Sequence, residues 1–246
     1  LELPSSPLPA AETLGGSSLA VFEPGKGERI VIASNADAAK VWAAGIEEWK
    51  LLTSAALIGL SREALTMAAE YACERIAFGI PIGANQGIAH PLAEDVIHAD
   101  GAEMMLWMTL RAIADGDAGA AADVSGLFWW ATRTATSSVA HALHTFGGYG
   151  LTNEYNIQMY NRRAKAWPLA MGDPELELER AGRRRFLGET ASLPDPGEVL
   201  VDFAPPSGGE ELAAETRAVF ERVLTPEIRA LDGHSFEGHD WGVHRA

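Results

Sequence analysis

The chain has 246 residues, 47% of them hydrophobic, and its 34 acidic against 19 basic side chains give a formal net charge of -15 and a pI near 4.8. That balance argues against nucleic acid or an anionic membrane surface as a partner, so any phosphate-bearing ligand must be held by a local arginine site rather than by a general field. The single cysteine, Cys73, excludes a disulfide framework and a paired-cysteine metal site and reads as a small buried hydrophobe. No apolar run reaches the about eighteen residues of a membrane span and the start is not signal-like, which points to a cytoplasmic protein.

Residues 1–35 read as loop and strand: Pro4, Pro7 and Pro9 precede two β-rich runs, 19–22 and 30–33, joined by the Pro-Gly turn at 23–27, the composition of a hairpin. From Ala36 to Phe78 the chain reads as one long helix. Leu51, Leu52, Ala55, Leu57, Ile58, Leu60, Ala64, Leu65, Ala68 and Ala69 leave it little polar face, so it is expected to be central and buried. Gly79 and Pro81 stop it, and Arg75 and Phe78, three apart, are expected on one face of its last turn.

From 86 to 114, Ile88, Leu92, Val96, Ala99, Ala102, Leu106 and Ile113 have helical spacing, and Met104, Met105 and Met108 read as core filler. After the loop 115–119 a third helix carries an apolar stripe from Val124 to Phe146. Three long helices joined by short loops imply antiparallel neighbours in a mainly α, up-and-down bundle. Shorter helices over 154–165 and 173–187, separated by Pro168 and Gly172, complete it. Residues 191–209 have the Pro/Gly composition of a linker. A charged amphipathic helix follows over 210–231, with Leu212, Val219, Phe220, Val223 and Leu224 inward and a break at Pro226. His234, His239 and His244 recur at a spacing that matches no helical face and lack accompanying thiolates, so they read as a solvated loop and not as a metal site.

Two segments carry more than fold. Arg75-Ile-Ala-Phe-Gly-Ile-Pro-Ile-Gly-Ala-Asn-Gln86 and Phe146-Gly-Gly-Tyr-Gly-Leu-Thr-Asn-Glu-Tyr155 resemble, in the same order, two signatures of the C-terminal helical domain of the acyl-CoA dehydrogenase family. The resemblance implies that 1–35 is the tail of a middle β-domain, 36–190 the helical bundle, 191–209 a linker and 210–246 the start of a second helical module. The chain, which begins with Leu1 rather than Met, is accordingly expected to be a piece of a longer polypeptide.

The chemistry implied is flavin-dependent α,β-desaturation of an acyl-CoA thioester, in which a carboxylate removes the α proton while the β hydrogen leaves as hydride. In the family that carboxylate is a Glu between the two short C-terminal helices. The matching run here, Arg162-Arg-Ala-Lys-Ala-Trp-Pro-Leu-Ala-Met-Gly-Asp173, places Met171 at the Glu position, and a thioether cannot accept the proton. A position used by some relatives falls on Trp49, next to Glu47 and Glu48. One step along a helix rotates a side chain by about 100°, so Glu48 stands as a candidate base only against its reading as a solvated carboxylate. Trp49 and Trp167 either close a pocket or fill core.

The resemblance further implies FAD held between two subunits. By position, Arg75 would pair with the pyrophosphate, Phe78 would pack on the cofactor, and Gln86 and His144 would hydrogen-bond it. Gly147 and Gly148 would let backbone approach the ADP portion. The expected function is therefore that of a helical module of a two-module or heteromeric acyl-CoA dehydrogenase, as in bacterial steroid side-chain degradation, inactive as a fragment. Its implied partners are an acyl-CoA substrate, a second dehydrogenase module and electron-transfer flavoprotein. Two other readings stand beside it: a structural or regulatory bundle without cofactor, and a flavin oxidase or monooxygenase of the same fold.

Overall fold

The computed structural model describes residues 2–3, 13, 15–16, 28–29, 34–201 and 208–226. The chain divides into two compact units, Leu1–Val201 and Asp202–Ala246. In the first, the short strands β1 (Glu2–Leu3) and β2 (Glu28–Arg29) pair antiparallel, Glu2 opposite Arg29. The runs 19–22 and 30–33 expected to form a hairpin lie outside the described residues.

The body of this unit is helical: α1 (Asn35–Glu74), α2 (Gln86–Ala114), α3 (Ala120–Phe146), α4 (Ile157–Ala166) and α5 (Leu176–Phe186). The first three run antiparallel. Arg62 on α1 pairs with Asp100 and Glu103 on α2, and Asp95, further up α2, accepts hydrogen bonds from Ser137 and His141 near the far end of α3 at 2.8 and 2.6 Å. Helix α3 packs against all four other helices of the bundle. Its buried positions Val124, Leu127, Phe128, Ala131, Ala135, Val139, Ala142 and Phe146 recur at steps of three and four, so one stripe meets the apolar faces of α1, α2 and α4.

Helix α1 departs from expectation at its end and on its face. It stops at Glu74 because Arg75 turns extended, with φ -73° and ψ 114°, and the chain folds into a hairpin of β3 (Ile76–Ala77) and β4 (Ile80–Pro81). Phe78 and Gly79 at its tip have φ of 56° and 85°, the left-handed pair that two-residue hairpin turns require. Arg75 and Phe78 therefore share no helical face. The helix is central yet not wrapped: Leu52 is 65% exposed, Ala55, Ala56 and Ala69 are exposed, and Cys73, expected inside, faces out. Its buried azimuth instead contains Glu47, Lys50, Ser54 and Ser61, the serines satisfied by donating to the carbonyls of Lys50 and Leu57 one turn back. Hydrophobic content had suggested burial all round, but contact with α3 and α2 selects the azimuth.

The same correction applies to α2. Met104, Met108 and Val96 lie on its outer face, and of the methionine cluster Met105 alone packs against the core. In the second unit, α6 (Gly209–Val223) exposes Leu212, Val219 and Phe220, which had been expected inward. His234, His239 and His244 lie outside the described residues.

Candidate functional site

Two of the sequence-predicted elements meet at one cavity. Arg75 caps α1 with its backbone held on both sides: its N–H donates to the Tyr71 carbonyl and its own carbonyl accepts from Ile82, both at 2.9 Å. The hairpin doubles back so closely that a Cβ on Gly83 would lie 3.2 Å from the Ala72 carbonyl. Helix α3 meanwhile ends at Phe146, where Gly147 turns through φ 58° into the short 3-10 turn Gly147–Leu151. Between the two corners lies a cavity of about 430 Å³ lined by Arg75, Tyr71 and Ile82 on one side and by Thr145–Tyr149 and Thr152 on the other. Among the described residues no carboxylate pairs with the exposed Arg75 guanidinium. A planar cation left free beside two glycines suits an anionic ligand.

The other predicted contacts, Phe78, Gln86 and His144, do not line this cavity. Phe78 is fully exposed at the hairpin tip, and a bulky ring with positive φ standing in solvent has no role in holding this fold together. Gln86 is the first residue of α2 and His144 lies in the last turn of α3, both exposed. Sequence reasoning had not singled out Tyr71, Thr145, Tyr149 or Thr152. Tyr149 and Thr152 fall inside the second signature and could have been found there, whereas Tyr71 and Thr145 come from helix azimuths that only packing reveals.

A second cavity, about 520 Å³, is lined by Trp49, one of the two positions where the family places its base, and reaches Ala170, one residue short of the other. Trp49, Leu52, Thr53 and Ala56 of α1 line it together with Ala166, Trp167, Leu169, Ala170 and Thr13. Met171 follows at the end of the 3-10 turn Pro168–Met171, half exposed. Among the described residues no ionisable side chain lines this space. Glu48 is exposed and outside the lining, and Glu47 is buried on another azimuth. Trp49 and Trp167 thus wall a pocket, with Trp49 also 5.3 Å from the Phe128 ring.

Glu47 is committed to a buried ionic network. Lys50 bridges Glu47 and Glu177 at 2.9 Å each, Ser125 donates to Glu177 at 2.8 Å, and Arg180 also pairs with Glu177. Burial would raise the Glu47 carboxyl, but hydrogen bonds and charge from Arg184 and Lys50 outweigh it and hold the group below its usual value. An acid that stays ionised and fully hydrogen-bonded is a structural anion and a poor general base.

Residues 39–186, which supply the whole lining of the Arg75 cavity and all but Thr13 of the second, match the model of the acyl-CoA dehydrogenase C-terminal domain. The chain belongs to the acyl-CoA dehydrogenase family. That family comprises flavoprotein oxidoreductases, and the helical bundle is its C-terminal fold. FadE12, an acyl-CoA dehydrogenase of Mycobacterium tuberculosis, is 34% identical over 152 residues, which cover 61% of this chain and 39% of the relative. The chain thus spans about two fifths of the length of that relative. The solved ChsE4-ChsE5 complex from Mycobacterium tuberculosis superposes with a TM-score of 0.62 at 28% identity, covering 75% of this chain and 49% of the other. A variant of the Tcur3481-Tcur3483 steroid ACAD gives 0.54 at 28% identity over 56% of this chain and 38% of the other. No helix among the described residues of this acyl-CoA dehydrogenase domain is long and apolar enough to cross a membrane.

Proposed function

We propose that this chain is the C-terminal helical part of a flavin-dependent acyl-CoA dehydrogenase module that supplies cross-subunit FAD contacts and carries no proton-abstracting base of its own. The observation that carries the proposal is the exposed Arg75 guanidinium, which has no carboxylate partner among the described residues and lines one cavity with Gly147 and Gly148. Arg75 pairs with the pyrophosphate, and the two glycines admit the ADP portion close to backbone. Phe78, Gln86 and His144, exposed and outside that cavity's lining, are the contacts for the parts of the cofactor beyond it. A fully exposed ring at the hairpin tip is what a segment reaching into a neighbouring subunit presents.

When bound, flavin supplies a hydride acceptor for the β hydrogen of an acyl thioester. Removing the α proton needs a carboxylate, and among the described residues the cavity between Trp49 and Ala170, with Met171 beside it, offers none. The role of this chain is then to hold and orient, and a second dehydrogenase module, on the same polypeptide or a separate subunit, carries the base. Likeness to the ChsE4-ChsE5 complex supports a paired assembly, and likeness to FadE12 and to the Tcur3481-Tcur3483 steroid ACAD supports action on acyl-CoA in lipid or steroid catabolism, with electrons passing to electron-transfer flavoprotein. In that polypeptide residues 1–35 end a β-domain, 191–209 link, and 210–246 begin the next helical module.

Replacing Arg75 with Ala in the full-length assembled protein tests this. FAD content, read from the visible absorbance of the purified protein, falls well below that of the unmodified assembly. An unchanged flavin-to-protein ratio overturns the proposal.

A further inference from the structure

Four aromatic rings are gathered under the Arg75 cavity. Phe146 stacks on Tyr71, with ring centres 4.3 Å apart and planes at 25°. Tyr155 lies against Tyr71, Phe146 and Tyr149 at 5.7, 4.9 and 6.0 Å, edge-on to the two tyrosines. Three of the rings are explained by packing: Phe146 is buried, Tyr71 is half-buried against the core, and Tyr155, which does not line the cavity, braces the others. Tyr149 is different. Of the three rings that line the cavity, with Tyr71 and Phe146, it alone is exposed, at 45%.

Its position is also fixed. The Tyr149 carbonyl accepts from both the Thr152 N–H at 3.1 Å and the Thr152 hydroxyl at 2.9 Å. The next residue, Gly150, is buried against the last turn of α3, where a Cβ would lie 2.7 Å from the Leu143 carbonyl oxygen. A ring held by its backbone on one side and by Tyr155 on the other loses little conformational freedom when a ligand covers its open face.

We propose that Tyr149 is a stacking platform for the adenine ring of the dinucleotide whose pyrophosphate meets Arg75, and that it makes this site select an adenine-bearing flavin over a flavin mononucleotide. The inference rests on the FAD-contact reading above and adds the residue that reads the base. Purine rings stack on tyrosine through their π-faces, and a guanidinium for the phosphates lining the same cavity as an aromatic face matches the two recognisable parts of an adenosine diphosphate.

The test uses flavin-free full-length assembly, titrated calorimetrically with FAD, ADP and FMN. Tyr149→Ala weakens FAD and ADP between about 5- and 150-fold and leaves FMN unchanged. Tyr149→Phe and Tyr149→Trp keep FAD and ADP within about twofold, because the face is retained and the hydroxyl is not used. Thermal melting by circular dichroism confirms that the variants compared are folded, with Tyr149→Phe as the reference. If Tyr149→Ala binds ADP as tightly as the unmodified protein while Arg75→Ala loses it, or if Tyr149→Phe loses as much as Tyr149→Ala, the stacking role is overturned and the FAD-contact reading stands. If Arg75→Ala itself leaves FAD binding unchanged, both fall.

Discussion

Arg184 on α5 grips Glu47 on α1 with both ends of its guanidinium, each terminal nitrogen 2.8 Å from one carboxylate oxygen. The same arginine donates to the Ala121 carbonyl at 2.7 Å and to the Ser125 hydroxyl at 2.9 Å on α3. One side chain thus ties three helices at the end of the bundle opposite the Arg75 cavity. Burial would lower the Arg184 pKa, but the hydrogen bond and charge of Glu47, with Glu177 behind them, raise it instead, so both members of the pair remain charged. Removing one partner leaves the other buried and unpaired, and Arg184→Ala or Glu47→Ala should cost about 3–5 kcal/mol in urea unfolding.

The same pair sets an acid limit. The folded-state pKa of Glu47 is lowered from 4.5, so the unfolded chain takes up the proton first. The stabilisation is fully present above that ordinary value and is lost as pH falls through the lower folded value. Asp123 works in the opposite sense: burial, only partly offset by Arg185, raises it above 3.8, and its contribution is lost as pH rises through the raised value. The expected result is a fall in unfolding free energy between about pH 5 and pH 3, with a smaller slope in Glu47→Gln.

Gly150→Ala should separate cofactor binding from folding. The added methyl would meet the Leu143 carbonyl at 2.7 Å, and backbone cannot yield as a side-chain tip can, so the turn carrying Gly147–Tyr149 must shift. The stability cost should be about 1–3 kcal/mol, leaving far-ultraviolet circular dichroism unchanged while flavin content of the assembly drops.

Leu127 is fully buried against Leu51 and Val124, with Leu106 and Leu110 around it. Leu127→Ala should destabilise the bundle by about 2–5 kcal/mol. In urea the midpoint should fall with the slope retained, since no additional surface is exposed on unfolding.

Met171→Glu tests the proposal that this chain carries no base of its own. Met171 is 48% exposed, so the substitution should change stability by no more than about 0.5 kcal/mol. In an assembly whose partner module has lost its own base, the unmodified chain should show no exchange of the thioester α hydrogen with deuterium, and Met171→Glu should restore measurable exchange.

The residue order alone determined the family, the helical class and the limits of α2 and α3, because long apolar stripes at steps of three and four and short Gly-rich breaks are local properties. It also marked Arg75, Gly147 and Gly148 through two signatures separated by about seventy residues, and Met171 by the mismatch of the run 162–173 with a third family pattern. Their common cavity depends on where α1 and α3 end relative to one another, which no local pattern encodes. The early stop of α1 was hidden because Phe78 is an unusual residue for positive φ and a hairpin tip is closed by pairing across it. The Glu47 network escaped for the same reason: spacing gives the azimuth of a side chain about its own helix axis, but whether that azimuth meets solvent, Arg184 or a cavity is decided by the neighbouring helices, and burial follows that contact rather than the polarity of the residue.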